Sequence, residues 1–529
     1  MNTDRNSPLQ AMMTRRHFLS GAAALSGLIL TSRYSSPVFA QINYDKNPFS
    51  LGVASGDPLP DGIVLWTRLA PHPLQGGGMP PGDVPVRWHI ASDEGMKNIV
   101  QQGTATASAA LGHSVHVEVM GLQPARTYWY QFETGGVLSP VGRTRTAPAL
   151  NASPEKLRFA FASCQSWTNG YYAAYRHMAQ EDLDFVLHLG DYIYEGKIGN
   201  QTARAFDVPS PVRDEPLTLE QYRLRYSLYK LDPDLQAAHR AFPFIVTWDD
   251  HEVDNNYAAY IDQDNSDPKI FLRRRAAAYQ AHYEHMPLRR SALPKGPDMM
   301  LYRRFTFGDL AQLNVLDTRQ YRSDQVKGNS APKRSRASLR ASRTMLGRNQ
   351  REWLLQGLNG SSSRWNVMAQ QVIMAQFIRT AGGKETFNMD GWDGYPTERQ
   401  RFMNYLAARK LRNPIVLAGD SHTNLVSDLK ADFAKAESPI VGSEFAGTAI
   451  SSGGMTPEAQ QSRRQDVARQ PHLKWFEGTK RGYVSCTLDR KLWRSDFLQV
   501  ADVKKQDSPV TVGASWIVED GKAGVQRDL

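Results

Sequence analysis

The chain has 529 residues, enough for two or three domains with sizeable cores. Its two cysteines, Cys164 and Cys486, are too few for a disulfide-built scaffold, and no segment is long and apolar enough for a permanent membrane anchor. The formal charge is +10, and removing residues 1–40 leaves 59 basic against 52 acidic side chains, or +7: a mild excess that suits anionic substrates without demanding them.

Thr14-Arg15-Arg16-His17-Phe18-Leu19 is a twin-arginine signature followed by a short apolar run over 21–30. Val38-Phe39-Ala40 supplies a small-residue cleavage site, so residues 1–40 are predicted to be a signal peptide. The expected partner is the twin-arginine export machinery, and the expected location is periplasmic or extracellular.

Residues 41–147 read as an N-terminal β domain. Alternating apolar and polar side chains over 113–119 and 128–132 predict strands, with turns at Gly56-Asp57-Pro58, Gly121 and Gly135-Gly136. Residues 122–130 resemble the late strands of a fibronectin type III sandwich. This domain holds no titratable cluster and reads as a scaffold. Residues 147–154 are a linker, and residues 155–529 form the second domain.

There, strands alternate with helical segments, which argues for a layered α/β domain. Apolar runs over 157–162, 184–189, 242–248, 310–316 and 413–418 predict strands; the second reads as buried on both faces. Tyr222, Tyr226 and Tyr229 fall at helical spacing and read as a packed face. The basic segment 323–348 lacks interleaved aromatics, so it predicts a solvated loop and no nucleic-acid-binding module.

The chemistry lies where strands end. Ser163-Cys164, Gly190-Asp191, Asp249-Asp250-His251-Glu252 and Gly419-Asp420-Ser421-His422 each follow an apolar run and should converge on one sheet edge. Carboxylate oxygens from Asp191, Asp250 and Asp420, a His422 nitrogen and a Cys164 thiolate would make a two-metal cluster. His188, His282 and His285 read as structural. Tyr192 reads as packed away from the site, Asn255 and Asn256 as caps or substrate-side donors, and Trp392 as a stacking or loop-closing ring.

The order of these motifs resembles the calcineurin-like metallophosphoesterases, with Asp250 replacing an amide, Asp420 replacing a histidine, and Cys164 at the first ligand position. Phe161-Ala-Ser-Cys-Gln165, the run from His188 to Glu195, the run from Trp248 to Asn256, and the run from Leu316 to Arg322 resemble one branch closely. That branch is the PhoD-like alkaline phosphatase and phosphodiesterase family. The resemblance implies a layered metallophosphoesterase sandwich behind an N-terminal fibronectin type III-like β-sandwich. It implies ferric ion (Fe3+) at Cys164, Asp191 and Tyr194 with His422 alongside, and calcium (Ca2+) shared by Asp191, Asp250 and Asp420. His251 would lie beside the phosphate and Arg319 would contact its oxygens. As a ligand, Cys164 would leave Cys486 unpaired.

The expected activity is hydrolysis of phosphate monoesters or diesters by two-metal activated hydroxide, in a monomeric exported enzyme. A phospholipase D-like phosphodiesterase and a noncatalytic extracellular binding protein are the competing readings.

Overall fold

The computed structural model describes residues 43–326, 330–331 and 335–528. The predicted signal peptide and part of the basic segment lie outside the described residues.

Two large sheets dominate. A ten-stranded sheet has at its centre Lys156–Ala162, Phe185–His188 and Pro243–Val246, all mutually parallel. A seven-stranded sheet has Ala311–Val315, Trp365–Ala369, Pro414–Ala418 and Ile440–Ala446 in parallel order. Period-two alternation assigns the side chains of these strands to layers. Phe159, Phe161, Phe185, Leu187 and Ile245 meet Leu313, Val315, Trp365, Val367, Ile415 and Leu417 in one core between the sheets. The intervening residues point outward: Ala160, Val186 and Phe244 toward the helices Leu219–Lys230, Pro233–Ala241 and Pro268–His285, and Met368 and Val416 toward Gly347–Asn359 and Pro396–Arg409. The result is a helix–sheet–sheet–helix sandwich. It explains why the strand segments read as unbroken apolar runs, since both faces are covered.

The N-terminal region contributes to the same architecture. Val53–Leu59 pairs in parallel with Pro243–Val246, and Gly62–Arg68 and Ser114–Met120 follow it to the edge of the ten-stranded sheet. The other N-terminal strands form a separate sheet, with Val84–Ala91 between Ile99–Ala107 and Thr127–Thr134. The linker over 147–154 therefore separates two lengths of chain, but the sheet runs unbroken from one into the other. Tyr222, Tyr226 and Tyr229 are buried, as their spacing predicts. Among the described residues no helix is long and apolar enough to cross a membrane.

Candidate metal centre and active site

The parallel strands of both sheets end on one edge, and each end carries a polar group. The backbone there is unusual: Cys164, Asp191, Asp420 and His422 all have φ between +53° and +59°. Non-glycine residues rarely adopt this region, and such outliers persist where surrounding structure over-determines them, often at functional sites. The strand ends also approach very closely. Gly190 has φ +109°, and a Cβ there would lie 2.4 Å from the Asp249 backbone nitrogen; one on Gly419 would lie 2.4 Å from Ser163 Oγ.

This convergence brings the sequence-predicted ligands together. Cys164, Asp191 and His422 can direct ligand atoms within 4.8 Å of one another, as can Asp191, Asp250 and His251, and a third group of Asp249, Asp250 and Asp420. Tyr194 completes the first group. Its hydroxyl lies 3.0 Å from Asp191 Oδ2, 3.0 Å from His422 Nε2 and 2.8 Å from Ser452 Oγ. His422 Nδ1 lies 2.8 Å from the Gly453 carbonyl; donating there fixes the tautomer and leaves the Nε2 lone pair facing Tyr194. Burial, helped by Arg481, lowers the His422 pKa to about 4, so the imidazole is neutral and able to bind a cation.

The electrostatics of the cluster favour a cation. Asp191 Oδ1 and Asp249 Oδ2 are buried without a hydrogen-bond partner among the described residues. Burial, against the pull of His251, combines with Asp250, Asp249 and Glu252 to push the Asp191 carboxyl well above the usual range. Burial and Asp390 raise Asp420 to about 7. Burial and Asp191 likewise push the thiol of Cys164 up. Crowded anions protonate because their charge is uncompensated, and a bound ion would reverse that direction. The unpartnered carboxylate oxygens and the mixed thiol, phenol, imidazole and carboxylate donors therefore fit metal ions.

His251 stands beside the cluster with a defined orientation. Its Nδ1 is 2.7 Å from Glu195 Oε2, whose other oxygen accepts from the Asn255 backbone at 2.8 Å. Its ring lies over Tyr194, with centroids 4.2 Å apart. Burial opposes a charged imidazolium here, but Glu195, Asp250 and Asp191 outweigh it and hold the His251 pKa well above its ordinary value.

Arg319 is placed differently from the expected phosphate contact. It is 0 % exposed, with Nε 2.5 Å from Asp249 Oδ1 and its two terminal nitrogens 2.7 and 2.9 Å from the oxygens of Asp390. Asp420 and Asp250 lie 3.4 and 3.6 Å away. It is the internal counter-charge of the carboxylate cluster. A second arginine is less fully paired: Arg379, on the strand Arg379–Ala381, has its Nε buried without a hydrogen-bond partner among the described residues. It sits over the Phe377 ring at 5.4 Å, in the fields of Arg463, Asp393 and Asp420.

Several working residues were not singled out from sequence. Glu252 accepts from the backbone nitrogens of Asp191, Tyr192 and Asp249, at 3.1, 2.5 and 2.8 Å, and so joins two strand ends. Glu195 was visible only as the last residue of the run from His188, and nothing in the sequence pairs it with His251, or Asp390 with Arg319. Ser452 carried no local signal. The residues read as structural sit apart from the gathered donor groups. His188 is buried against Gln165, the Tyr192 hydroxyl meets His239 at 2.7 Å, and Trp392 Nε1 donates to Gln370 at 2.7 Å, closing a loop. Asn256 caps the Asp250 carboxylate through its backbone at 2.7 Å. Cys164 and Cys486 are both free and buried, so no disulfide joins them.

A double-sheet α/β sandwich with acidic, thiol and imidazole groups gathered at its carboxyl edge suits a metal-dependent phosphatase, and the comparisons with known proteins agree. Residues 159–497 match the profile of the PhoD-like phosphatases, and residues 34–148 match that of the PhoD-like phosphatase N-terminal domain. Alkaline phosphatase D of Bacillus subtilis (strain 168) is 46% identical over 518 residues, which is 97% of this chain and 89% of that protein. A solved structure described as the structure of PhoD superposes with a TM-score of 0.87 at 47% identity, covering 92% of this chain and 93% of the other. The chain belongs to the PhoD-like phosphatase family and is an enzyme, which sets aside the noncatalytic binding-protein reading.

Proposed function

We propose that this enzyme is an exported, metal-dependent alkaline phosphatase acting on phosphate monoesters or diesters. The observation that carries the reading is a chain of shared carboxylates: Asp191 groups with Cys164 and His422 on one side and with Asp250 on the other, and Asp250 groups in turn with Asp420. Carboxylates common to neighbouring donor sets suit a pair of adjacent ions. Cys164, Asp191, Tyr194 and His422 would hold ferric ion, whose charge suits three anionic donors, and Asp191, Asp250 and Asp420 would hold calcium through hard oxygens. Together the ions would supply Lewis acidity and neutralise phosphate charge.

The chain's own residues would do the rest. Glu195 fixes His251 through Nδ1, leaving Nε2 to donate a proton to the leaving oxygen, a contribution of roughly 10²–10⁴-fold for general acid catalysis. Arg319 holds Asp249 and Asp420 in place from behind. Arg379, whose Nε has no hydrogen-bond partner among the described residues, is the cation offered to substrate oxygens. Residues 1–40 would direct export to the periplasm or beyond and be removed, leaving residues 41–147 as scaffold and 155–529 as the catalytic region of a monomer.

Rates on a chromogenic phosphate monoester and on its diester analogue, measured before and after chelation and read with the metal content of the purified protein, test the proposal. Loss on chelation and recovery with calcium support it. Full activity without any metal would refute it.

A further inference from the structure

The loop over 449–453, Ala449-Ile450-Ser451-Ser452-Gly453, touches three members of the group Cys164, Asp191, Tyr194 and His422. The Ile450 nitrogen donates to the Ser163 carbonyl at 3.0 Å, and the Ser451 and Ser452 nitrogens donate to the Cys164 carbonyl at 3.4 and 3.2 Å. The Gly453 carbonyl takes His422 Nδ1 at 2.8 Å. Ser452 Oγ lies 2.8 Å from the Tyr194 hydroxyl and 2.7 Å from the Cys164 carbonyl. Ser452 is 1 % exposed, so water does not compete for its hydroxyl.

A serine hydroxyl has one proton and two lone pairs. One lone pair is used: the Ser166 nitrogen donates to Ser452 Oγ at 2.9 Å. The single proton is then divided between the Cys164 carbonyl and the Tyr194 oxygen. With Tyr194 neutral, its own proton goes to Asp191 Oδ2 or to His422 Nε2. Once Tyr194 loses that proton to become an anionic ligand, its oxygen can only accept. The Cys164 carbonyl already has backbone donors, so the Ser452 proton goes to the phenolate, the stronger acceptor.

We infer that Ser452 is a positioning residue for the metal centre, whose hydroxyl donates to the Tyr194 phenolate and sets how strongly that oxygen donates to the ion. This rests on the proposed reading of Cys164, Asp191, Tyr194 and His422 as iron ligands. Partners of this kind orient and tune metal ligands, and their loss typically costs roughly 10–100-fold in metal affinity or activity. Ser451 provides an internal control. Its hydroxyl donates to the Ser166 carbonyl at 2.8 Å, and among the described residues no hydrogen bond joins it to Tyr194.

The test is the visible spectrum and iron content of holoprotein for wild type, Ser452→Ala, Ser452→Thr and Ser451→Ala. Removing the donor raises the energy of the phenolate electrons, so Ser452→Ala should move the charge-transfer band to longer wavelength. Ser452→Thr should return it toward the wild-type position, and Ser451→Ala should leave it unmoved. An iron-loaded Ser452→Ala protein with an unshifted band overturns the inference while leaving the iron reading intact. A colourless, iron-free wild type overturns both. Should Ser452→Ala fail to fold, resonance Raman of the wild type decides: the phenolate C–O mode shifts between H2O and D2O if the Ser452 proton is bonded to it, and an unshifted mode rejects the inference.

Discussion

Arg319 and Asp390 meet in a two-point ion pair, with terminal nitrogens 2.7 and 2.9 Å from the two carboxylate oxygens, in the fully buried space behind the strand ends. Asp390 is held further by Arg322 at 2.6 Å and by Gln325 at 2.7 Å. Arg319 thereby spans the two sheets, reaching Asp249 from one and Asp420 from the other. Its charge is what lets Asp250 stay ionised: burial would raise that carboxyl, but Arg319 and His251 hold it below the ordinary range.

Removing one partner of a buried, hydrogen-bonded pair leaves a stranded charge and costs about 3–5 kcal/mol. Arg319→Met should therefore lower the stability of the metal-free protein by about that amount in denaturant titration. Adding metal should recover part of the loss, because the freed carboxylates gain another cation. An unchanged midpoint would contradict the counter-charge role.

Tyr194→Phe should bleach or shift the charge-transfer colour and weaken iron retention. Tyr192→Phe should leave both intact, since its hydroxyl is committed to His239 in the helix-side core. Absorption spectra and iron analysis of the two variants, prepared side by side, check this. Equal spectra in both would remove Tyr194 from the ligand set.

Chelation should abolish activity and calcium should restore it, with zinc alone failing to do so. Asp250→Asn keeps the side chain's shape but removes a hard anionic oxygen, so calcium affinity should fall without loss of fold. Calcium titration of activity, together with thermal melts, separates these effects. An unaltered calcium dependence would exclude Asp250.

Glu195→Gln preserves the size of the group that holds His251 but removes its charge. The imidazolium loses the partner 2.7 Å away, and kcat should fall by roughly 10²–10⁴-fold if His251 is the general acid. Metal content should not change, because Glu195 faces His251 and the Asn255 backbone. A variant with normal kcat would mean that His251 needs no anionic partner to act as the acid.

Arg379→Ala should raise KM and weaken inhibition by inorganic phosphate by about 10-fold or more, the cost of about one charge-assisted hydrogen bond. Arg379→Lys should recover part of the loss, as a point charge without the planar fork. Unchanged phosphate inhibition would return the search for the substrate cation to other residues.

The layer architecture and the residues gathered at the sheet edge were legible in the sequence. Apolar runs covered on both faces, such as 185–188 and 414–418, show as uninterrupted hydrophobic stretches, and the residue after each run sits at the sheet edge whatever the rest of the fold does. Cys164, Asp191, Asp250, Asp420 and His422 are legible because they are local: each is fixed by the strand that precedes it. Tertiary structure alone decided the pairings across long sequence gaps. Arg319 could not be assigned to carboxylates from sequence, because Asp249, Asp390 and Asp420 stand 70, 71 and 101 positions away from it. Val53–Leu59 could not be assigned to the catalytic sheet, because alternation names the buried face of a strand but not its neighbour. Ser452 could not be connected to Tyr194 across 258 positions, because a lone serine in a loop has no periodicity. Its role exists only where two chain segments meet in a space from which water is excluded.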